Sequence, residues 1–428
     1  MRARRREPGD ESPGPDLGGR SPGSGDVPMN GRITAIQAAQ RLGVKRETVY
    51  AYVSRGLLGS ERALDGKTST FDPAEVDRLR RRRTRRRPGH LDVPIATAVT
   101  EVADGRVGYR GTPLPTILEN GAGFEEVAAL LWQVPPDGSP QWDIPRSTRT
   151  IVRRVARALP AEVGGVTRVM SAVVAAGAAD PFSANLTGSG VAATGRLLIL
   201  AAVESLSTAG DRPAPAASPV ARSLWARLTT EVPDEWPLLD TAMVLLADHG
   251  LATSTLAARL AASTRAAPSA VVTAALGVVS GSLHGGASRL VHRMLATAHT
   301  EGPPRAVRDS LAEFSRLPGV GHVIHRSGDP RFDLLHSRLM DSGLDPDRLA
   351  TVTAVVDLVD GADAGPPNVD LALGSLTWAA GMGPDAGETV FAVARMAGWL
   401  AHAVEEYDSQ PLRFRPQGRY VGPSPGSS

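Results

Sequence analysis

The stretch that most constrains this chain runs from Gly281 to Met294: Gly-Ser-Leu-His-Gly-Gly-Ala-Ser-Arg-Leu-Val-His-Arg-Met. An apolar run, Val271 to Val279, leads into it, and the helical pattern Leu290, Val291, Met294, Leu295 leads out. Between them lie His284 and three glycines, Gly281, Gly285 and Gly286. Glycine takes positive φ and allows close backbone approach, so two helices break tightly around an imidazole here. The unpaired N–H groups that open the outgoing helix disfavour a cationic imidazole and leave a neutral N–H donor. Taken alone, the stretch serves equally well as a helix corner holding a structural histidine.

Composition agrees with a helical chain. Hydrophobic residues make up 42% of 428, ample for a large core, and aromatics only 4%, with alanine and leucine abundant. The absence of cysteine removes disulfides, thiolate metal sites and a cysteine nucleophile. No apolar run reaches bilayer length, and no hydrophobic segment follows the N-terminal arginines, so the expectation is a soluble, cytoplasmic protein. Charge is unevenly spread. Residues 1–90 carry 20 Lys and Arg against 11 Asp and Glu, whereas the other 338 carry 27 against 34. A basic front end on an acidic body suits a polyanion partner for the front only.

Residues 1–30 are Arg, Gly, Pro, Ser and Asp with almost nothing to bury, and read as a disordered tail. A module over 31–90 follows. Thr34 can cap a short helix bearing Ile36, Ala38, Ala39 and Leu42; Gly43 and Val44 make a turn. A second helix runs from about Arg46 with Val49, Tyr50 and Val53 inward. It would present Lys45, Arg46, Thr48, Tyr52 and Arg55 to a DNA groove. The piece resembles the MerR and excisionase type of helix-turn-helix, with a wing and then the Phe71 to Val76 helix start. A small helical hairpin that touches no DNA is the alternative. Eight arginines between Arg78 and Arg87 form a solvated run or a phosphate-contacting strip. Gly59…Gly66-Lys67-Thr68 has six residues between its glycines, too many for a phosphate loop, and reads as a wing turn.

Further along, the apolar patterns predict helices over Ser147–Ala158, Ala161–Ala176 and Gly190–Leu206, and a buried helix over Leu238–Thr264 that holds Asp248-His249. Two loops stand out: Pro318-Gly-Val-Gly-His322-Val-Ile-His-Arg-Ser-Gly-Asp329-Pro-Arg331 and Pro367-Asn-Val-Asp370-Leu-Ala-Leu-Gly. With the Leu-His-Gly-Gly-Ala turn, Arg395 in Ala-Arg-Met-Ala-Gly-Trp, and Arg415 in Arg-Pro-Gln-Gly-Arg-Tyr, they resemble the citrate synthase family, in order and at compatible spacing, from about residue 92 onward.

That resemblance implies a mainly α fold: a large helical domain over 92–283 and 381–428, and a small one over 284–380, preceded by the helix-turn-helix module. It implies condensation of acetyl-CoA with oxaloacetate to citrate and CoA, with a CoA thioester as substrate, no permanent cofactor and no metal. Asp370 would be the base, His284 the donor to the enolate oxygen and His322 the donor to the keto oxygen. His249, Arg331, Arg395 and Arg415 would hold carboxylates, Arg415 reaching in from the partner of a homodimer, and Arg326 would meet CoA phosphates. Simpler roles stay open: Asp370 as a helix cap, Arg331 as a loop arginine, Arg395 on a solvated helix face. Gly250, Ala252, Val323 and Gln417 depart from the family pattern. Propionyl-CoA as substrate, citryl-CoA cleavage, and a citrate- or acyl-CoA-sensing regulator on the same body are the alternatives.

Overall fold

A computed structural model describes residues 32–42, 44–54, 58–63, 68–77, 94–135, 142–208, 218–230, 234–281, 286–314, 316–360, 365–415, 420 and 422. The expected tail over 1–30, Arg55, the arginine run of 78–87, His284 and Gln417 lie outside these residues. The chain forms two compact units, residues 1–95 and 96–428.

The first unit contains β1 (Ile33–Thr34), α1 (Ala35–Leu42), α2 (Arg46–Ser54), β2 (Glu61–Arg62), β3 (Ser69–Phe71) and α3, described over 73–77. The strands form an antiparallel sheet in the order β1-β3-β2. Thr34 and Gln37 cap α1 reciprocally: Gln37 N donates to Thr34 Oγ1 at 3.3 Å and Thr34 N to Gln37 Oε1 at 3.0 Å. A small core of Ile33, Ala38, Leu42, Val49, Leu58, Phe71 and Val76 closes the unit. The facing of α2 differs from expectation at two tyrosines. Tyr52 packs on this core, whereas Tyr50 is 41% exposed and lies under the Arg46 guanidinium. Both are amphipathic, so the period alone misassigns which ring turns inward.

The second unit opens with an antiparallel meander, β4 (Thr100–Ala103), β5 (Arg106–Tyr109) and β6 (Thr112–Pro113). Helices follow: α4 (Leu114–Glu119), α5 (Phe124–Trp132), α6 (Arg146–Ala158), α7 (Gly165–Ala179), α8 (Gly188–Glu204), α9 (Val220–Leu228), α10 (Trp236–Leu246), α11 (Thr253–Ser263) and α12 (Pro268–Val279). After them come α13 (Ala287–Glu301), α14 (Pro303–Phe314), α15 (Pro330–Met340), α16 (Pro346–Asp360), α17 (Val369–Ala379) and α18 (Ala386–Tyr407). The mainly α expectation for the body holds. No helix among the described residues is long and apolar enough to cross a membrane.

The last helix is the axis of this unit. Nineteen of its 22 residues are buried, so it reads as apolar all round, and it packs on α5, α7, α8, α10, α11 and α12. Its small residues let neighbours come close, most tightly at Gly398. There the N–H donates to the Ala247 carbonyl at 3.0 Å, and a methyl group would overlap that carbonyl and the Asp248 carboxylate.

The apolar run over 238–264 is two helices rather than one. The break falls at 247–252, where Gly250 has φ +61 and its N–H meets the Asp248 carboxylate at 2.9 Å. The break carries Asp248, His249 and Gly250 in succession, a polar and glycine signal that the longer apolar stretches on either side outweigh in a reading by period. Gly398→Ala should cost about 1–3 kcal/mol, the usual range for overpacking. The measurement is the denaturant midpoint at constant m; an unmoved midpoint would mean that the 247–252 turn can shift aside freely.

Candidate active site

The segment carrying His322 is stitched to the start of α17. Gly319 and Gly321 both have φ +74. At Gly319 a Cβ would lie 2.8 Å from Leu371 Cα, so only glycine allows this approach. Asn368 N donates to Gly319 O at 2.9 Å, Gly321 N to Pro366 O at 2.8 Å and Asn368 Nδ2 to Gly321 O at 2.8 Å. Asn368 Oδ1 in turn accepts Asp370 N at 2.9 Å and caps α17. The cap is therefore Asn368 and not Asp370, whose carboxylate has no hydrogen bond among the described residues.

Asp329 ties a third element to these two. It caps α15 ahead of Pro330, and its carboxylate accepts Arg331 Nε at 2.9 Å and Nη2 at 2.8 Å. Its Oδ2 also accepts Val369 N at 3.1 Å, at the opening of α17. Arg331 is 3% exposed, which removes the reading of an ordinary loop arginine. Arg395 is likewise buried within α18 and donates from Nε to Leu246 O at 2.6 Å, with its guanidinium over the Phe391 ring. The solvated-helix reading fails there too.

His249 stands in the break between α10 and α11. Arg395, Gly398 and His402 lie on one face of α18 and all grip this turn, the last through Nε2 to Asp248 Oδ2 at 3.3 Å. Arg259 Nη1 donates to His402 Nδ1 at 2.8 Å, so the His402 hydrogen sits on Nε2 and points at Asp248. From the other side Thr100 Oγ1 donates to Asp248 Oδ2 at 2.6 Å, and the buried Tyr109 hydroxyl donates to Asp248 O at 3.1 Å.

His249, His322 and His325 then form one cluster. Their ring centroids lie 5.1 Å apart for His249–His322 and His249–His325, and 4.8 Å for His322–His325. The Nε2 atoms of His249 and His325 are 2.9 Å apart, one donating and one accepting. His322 Nδ1 accepts the N–H groups of Ile324 at 3.1 Å and His325 at 3.2 Å, so its hydrogen is on Nε2. Asp104, in the β4–β5 turn, pins this loop by accepting Arg326 N at 3.0 Å and Ser327 N at 3.2 Å.

Electrostatics follow from burial. Desolvation lowers all three imidazoles below their ordinary value, well below for His249, where the Arg331 and Arg395 charges add to it. Desolvation raises the Asp370 carboxyl; Arg331 opposes this and Asp329 reinforces it. Burial also works to raise Asp329, but the Arg331 charge and its hydrogen bonds outweigh it and hold the carboxylate ionised. Two fixed cations beside neutral imidazoles favour an anionic ligand.

Arg326 is exposed, its backbone held by Asp104. Arg415 is exposed, and no interaction joins it to His249, Arg331 or Arg395 among the described residues. His284 cannot be placed, since it is outside those residues. His325 has no role among the family motifs and is nonetheless a member of the cluster; Asp329 could have been found as an Asp before Pro at a helix start. Among the described residues no group of three or more His, Asp or Glu side chains is set to hold a metal.

The helical body thus holds a buried imidazole–guanidinium cluster beside a raised carboxyl that has no hydrogen bond among the described residues. The profile of the citrate synthase C-terminal domain matches residues 92–417, and the chain belongs to the citrate synthase family. It is 36% identical to citrate synthase of Haloferax volcanii over 188 residues, 43% of this chain and 49% of that one. With Bacillus subtilis citrate synthase 2 it shares 35% over 202 residues, 45% and 52% of the two chains. The chain thus spans about half the length of these two relatives. A 2-methylcitrate synthase of Mycobacterium tuberculosis aligns at 28% over 348 residues, 76% of this chain and 88% of that one. Among solved structures, the Thermoplasma acidophilum citrate synthase complex with carboxymethyl coenzyme A and oxaloacetate superposes with TM-score 0.63 at 25% identity, covering 78% of this chain and 95% of that one.

Depressed imidazoles bind fewer protons in the folded chain than in the unfolded one, so acidification destabilises the fold. The melting temperature should fall as pH drops through the ordinary imidazole value of about 6.5. His249→Gln should flatten that slope. An identical slope in the variant would show that His249 is not held neutral by its surroundings.

Proposed function

We propose that this chain condenses acetyl-CoA with oxaloacetate and water to give citrate and CoA. One observation carries the reading: the Asp370 carboxyl, without a hydrogen bond among the described residues and pushed up by burial, lies in the field of Arg331 and Arg395, and Arg331 also acts on a His322 whose Nδ1 is occupied by two backbone donors. Asp370 takes a proton from the methyl carbon. A carboxyl raised toward neutrality is a better-matched base for this weak acid than an ordinary one. His284 is assigned the enolate oxygen from its Leu-His-Gly-Gly-Ala setting, as a neutral donor. The enolate carbon then attacks the keto carbon of oxaloacetate, while His322 Nε2–H donates to the oxygen that becomes the hydroxyl. Water cleaves the resulting thioester and releases CoA.

His249, Arg331 and Arg395 hold the oxaloacetate carboxylates, guanidinium being suited to two-pronged contacts. Arg415 of the partner subunit completes the set in a homodimer, which accounts for its exposed position in one chain. Arg326, also exposed, meets CoA phosphates. Residues 284–380 close on 92–283 and 381–428, excluding water before condensation. Propionyl-CoA is the second donor to test, because a 2-methylcitrate synthase aligns over 76% of this chain.

Asp370→Asn should keep oxaloacetate binding and lose thiol release on the order of 10²–10⁴-fold, as for loss of a general base. Near-full turnover would remove Asp370 from the mechanism. Mixing it with Arg415→Ala subunits should regenerate activity in hybrid dimers; no recovery after proven exchange would refute a shared site.

For the front unit the reading is a winged helix-turn-helix that binds DNA through α2. Lys45 and Arg46 are exposed and Thr48 half-buried, which suits them to a groove, whereas Tyr52 packs inward and is dropped from the contact set. Arg55 keeps its place in the groove set, and the 78–87 run its phosphate contacts, as part of this proposal. Retardation of duplex DNA should weaken steeply with salt, and Arg46→Ala should blunt preference for one sequence. Absence of any retardation at low salt would end this reading.

A further inference from the structure

Besides the imidazole recess, the body holds a cavity of about 700 Å³ between α6, the end of α8 and α9. It shares no residue with the recess. Five arginines line it: Arg149, Arg153 and Arg157 at every fourth residue of α6, Arg168 of α7 and Arg227 of α9. Arg168 is used up internally, donating to the carbonyls of Ala156, Pro160, Ala161 and Val163. Three of the other four meet one half-buried carboxylate. Glu204 takes Arg149, Arg153 and Arg227 together, at 3.3, 2.8 and 3.2 Å. The exposed Asp143 adds a second contact to Arg149 at 3.2 Å. Arg157 has no ion pair among the described residues.

Two guanidinium groups in this wall are left short of acceptors. Arg227 is 8% exposed; its Nη1 donates to Leu206 O at 2.6 Å and its Nη2 to Glu204, but its buried Nε has no partner among the described residues. Arg149 Nε is also buried, and its approach to Glu204 lacks hydrogen-bond geometry. A buried donor without an acceptor is costly, and a charged one more so. Burial and the nearby Arg153 and Arg149 charges press against the Arg227 charge more than Glu204 supports it. The wall is therefore short of negative charge as well as of acceptors.

We propose that this cavity is a second ligand site, for a linear di- or triphosphate anion. One phosphoryl group meets the guanidinium groups of Arg149 and Arg227, whose Nε atoms have no hydrogen-bond acceptor among the described residues, and the next groups lie along Arg153 and Arg157. Positions four apart on a helix rise by about 6 Å, so the row from Arg149 to Arg157 runs over about 12 Å, which suits a chain of phosphoryl groups better than a single one. Guanidinium is the side chain fitted to such oxygens in two-pronged fashion. Ile144 and Leu206 also line the cavity and offer apolar surface for the face of a base, so the phosphate chain can be inorganic or part of a nucleotide.

The test is calorimetric titration of the full chain with tripolyphosphate, ATP and orthophosphate, beside an Arg153→Gln/Arg157→Gln variant. Both replaced side chains are exposed, and a melting curve checks the fold. Tripolyphosphate should bind at one site per chain that weakens at least about tenfold in the variant, a difference of one decade in Kd. Orthophosphate should bind far less well. ATP binding tighter than tripolyphosphate assigns the site to a nucleotide; equal or weaker binding assigns it to the inorganic chain. Glu204→Gln, which removes the resident competitor, should tighten binding instead. The KM for acetyl-CoA should not move in the double variant, since none of these residues lies in the recess. Tripolyphosphate binding that is absent, or the same in all three proteins, overturns the proposal; in the latter case the anion sits elsewhere, such as on the arginines of 78–87.

Discussion

A single carboxylate, Asp329, stands where three pieces of the recess meet. It opens α15, holds the Arg331 guanidinium with both oxygens and accepts the first N–H of α17. Two buried charges gain little net stability over apolar residues of the same shape, yet leaving one without the other costs about 3–5 kcal/mol. What such a pair supplies is geometry. Arg331 cannot leave without stranding Asp329, and Asp329 cannot turn without releasing the start of the helix that carries Asp370. The His322 loop is bound to the same helix by Asn368 from the other side. Three elements from distant parts of the chain are thereby held in one arrangement before any ligand arrives.

The opposite wall depends on α18. A helix buried nearly all round can carry charged residues only where each finds a partner, and Arg395, His402 and Glu406 all do. Arg395 and His402 reach the 246–248 turn, Glu406 meets Arg259, and Glu405 joins Arg259 to Arg110. This chain of contacts runs from the C-terminal helix to the β4–β5 meander, which supplies Thr100, Asp104 and Tyr109 to the same region. His249 therefore stands on a turn fixed from two directions, although the turn departs from the family pattern at Gly250. With φ +61 there, glycine relieves the backbone strain that a side chain would meet.

Burial sets the charge state of the site as well as its shape. Desolvation alone would discharge arginine, histidine and aspartate alike, but it acts on groups of unequal tenacity. Guanidinium holds its proton, imidazole loses it and the Asp370 carboxyl is pushed toward gaining one. The result is fixed positive charge, neutral donors and a proton acceptor that Arg331 and Arg395 act on together. Such a mixture suits recognition of a dianion followed by proton removal next to it.

The amino-acid order by itself determined the helical class of the body, the glycine-flanked His322 loop and a capped helix start at Asn-Val-Asp, though the cap is Asn368 rather than Asp370, and it picked out His249, His322, Arg331 and Arg395, which the structure brings together. These are local matters: a glycine where φ must be positive, an Asn before a helix, and motifs whose residues lie within a few positions of each other. Tertiary structure decided the rest. Whether 238–264 is one helix or two turned on contacts from α18 and the meander, which partner the buried Asp248 and hold the Gly250 turn between two apolar helices. Whether Tyr50 or Tyr52 faces inward depended on the small core that α2 packs against. His325 joined the cluster only because the α10–α11 turn brought His249 to it from 76 residues away in sequence. Asp329 gained its second role in the same way, through a bond to Val369 that no spacing announces. Propensity and periodicity act over a few residues, whereas the distances that make a site are set by packing between segments far apart in the chain.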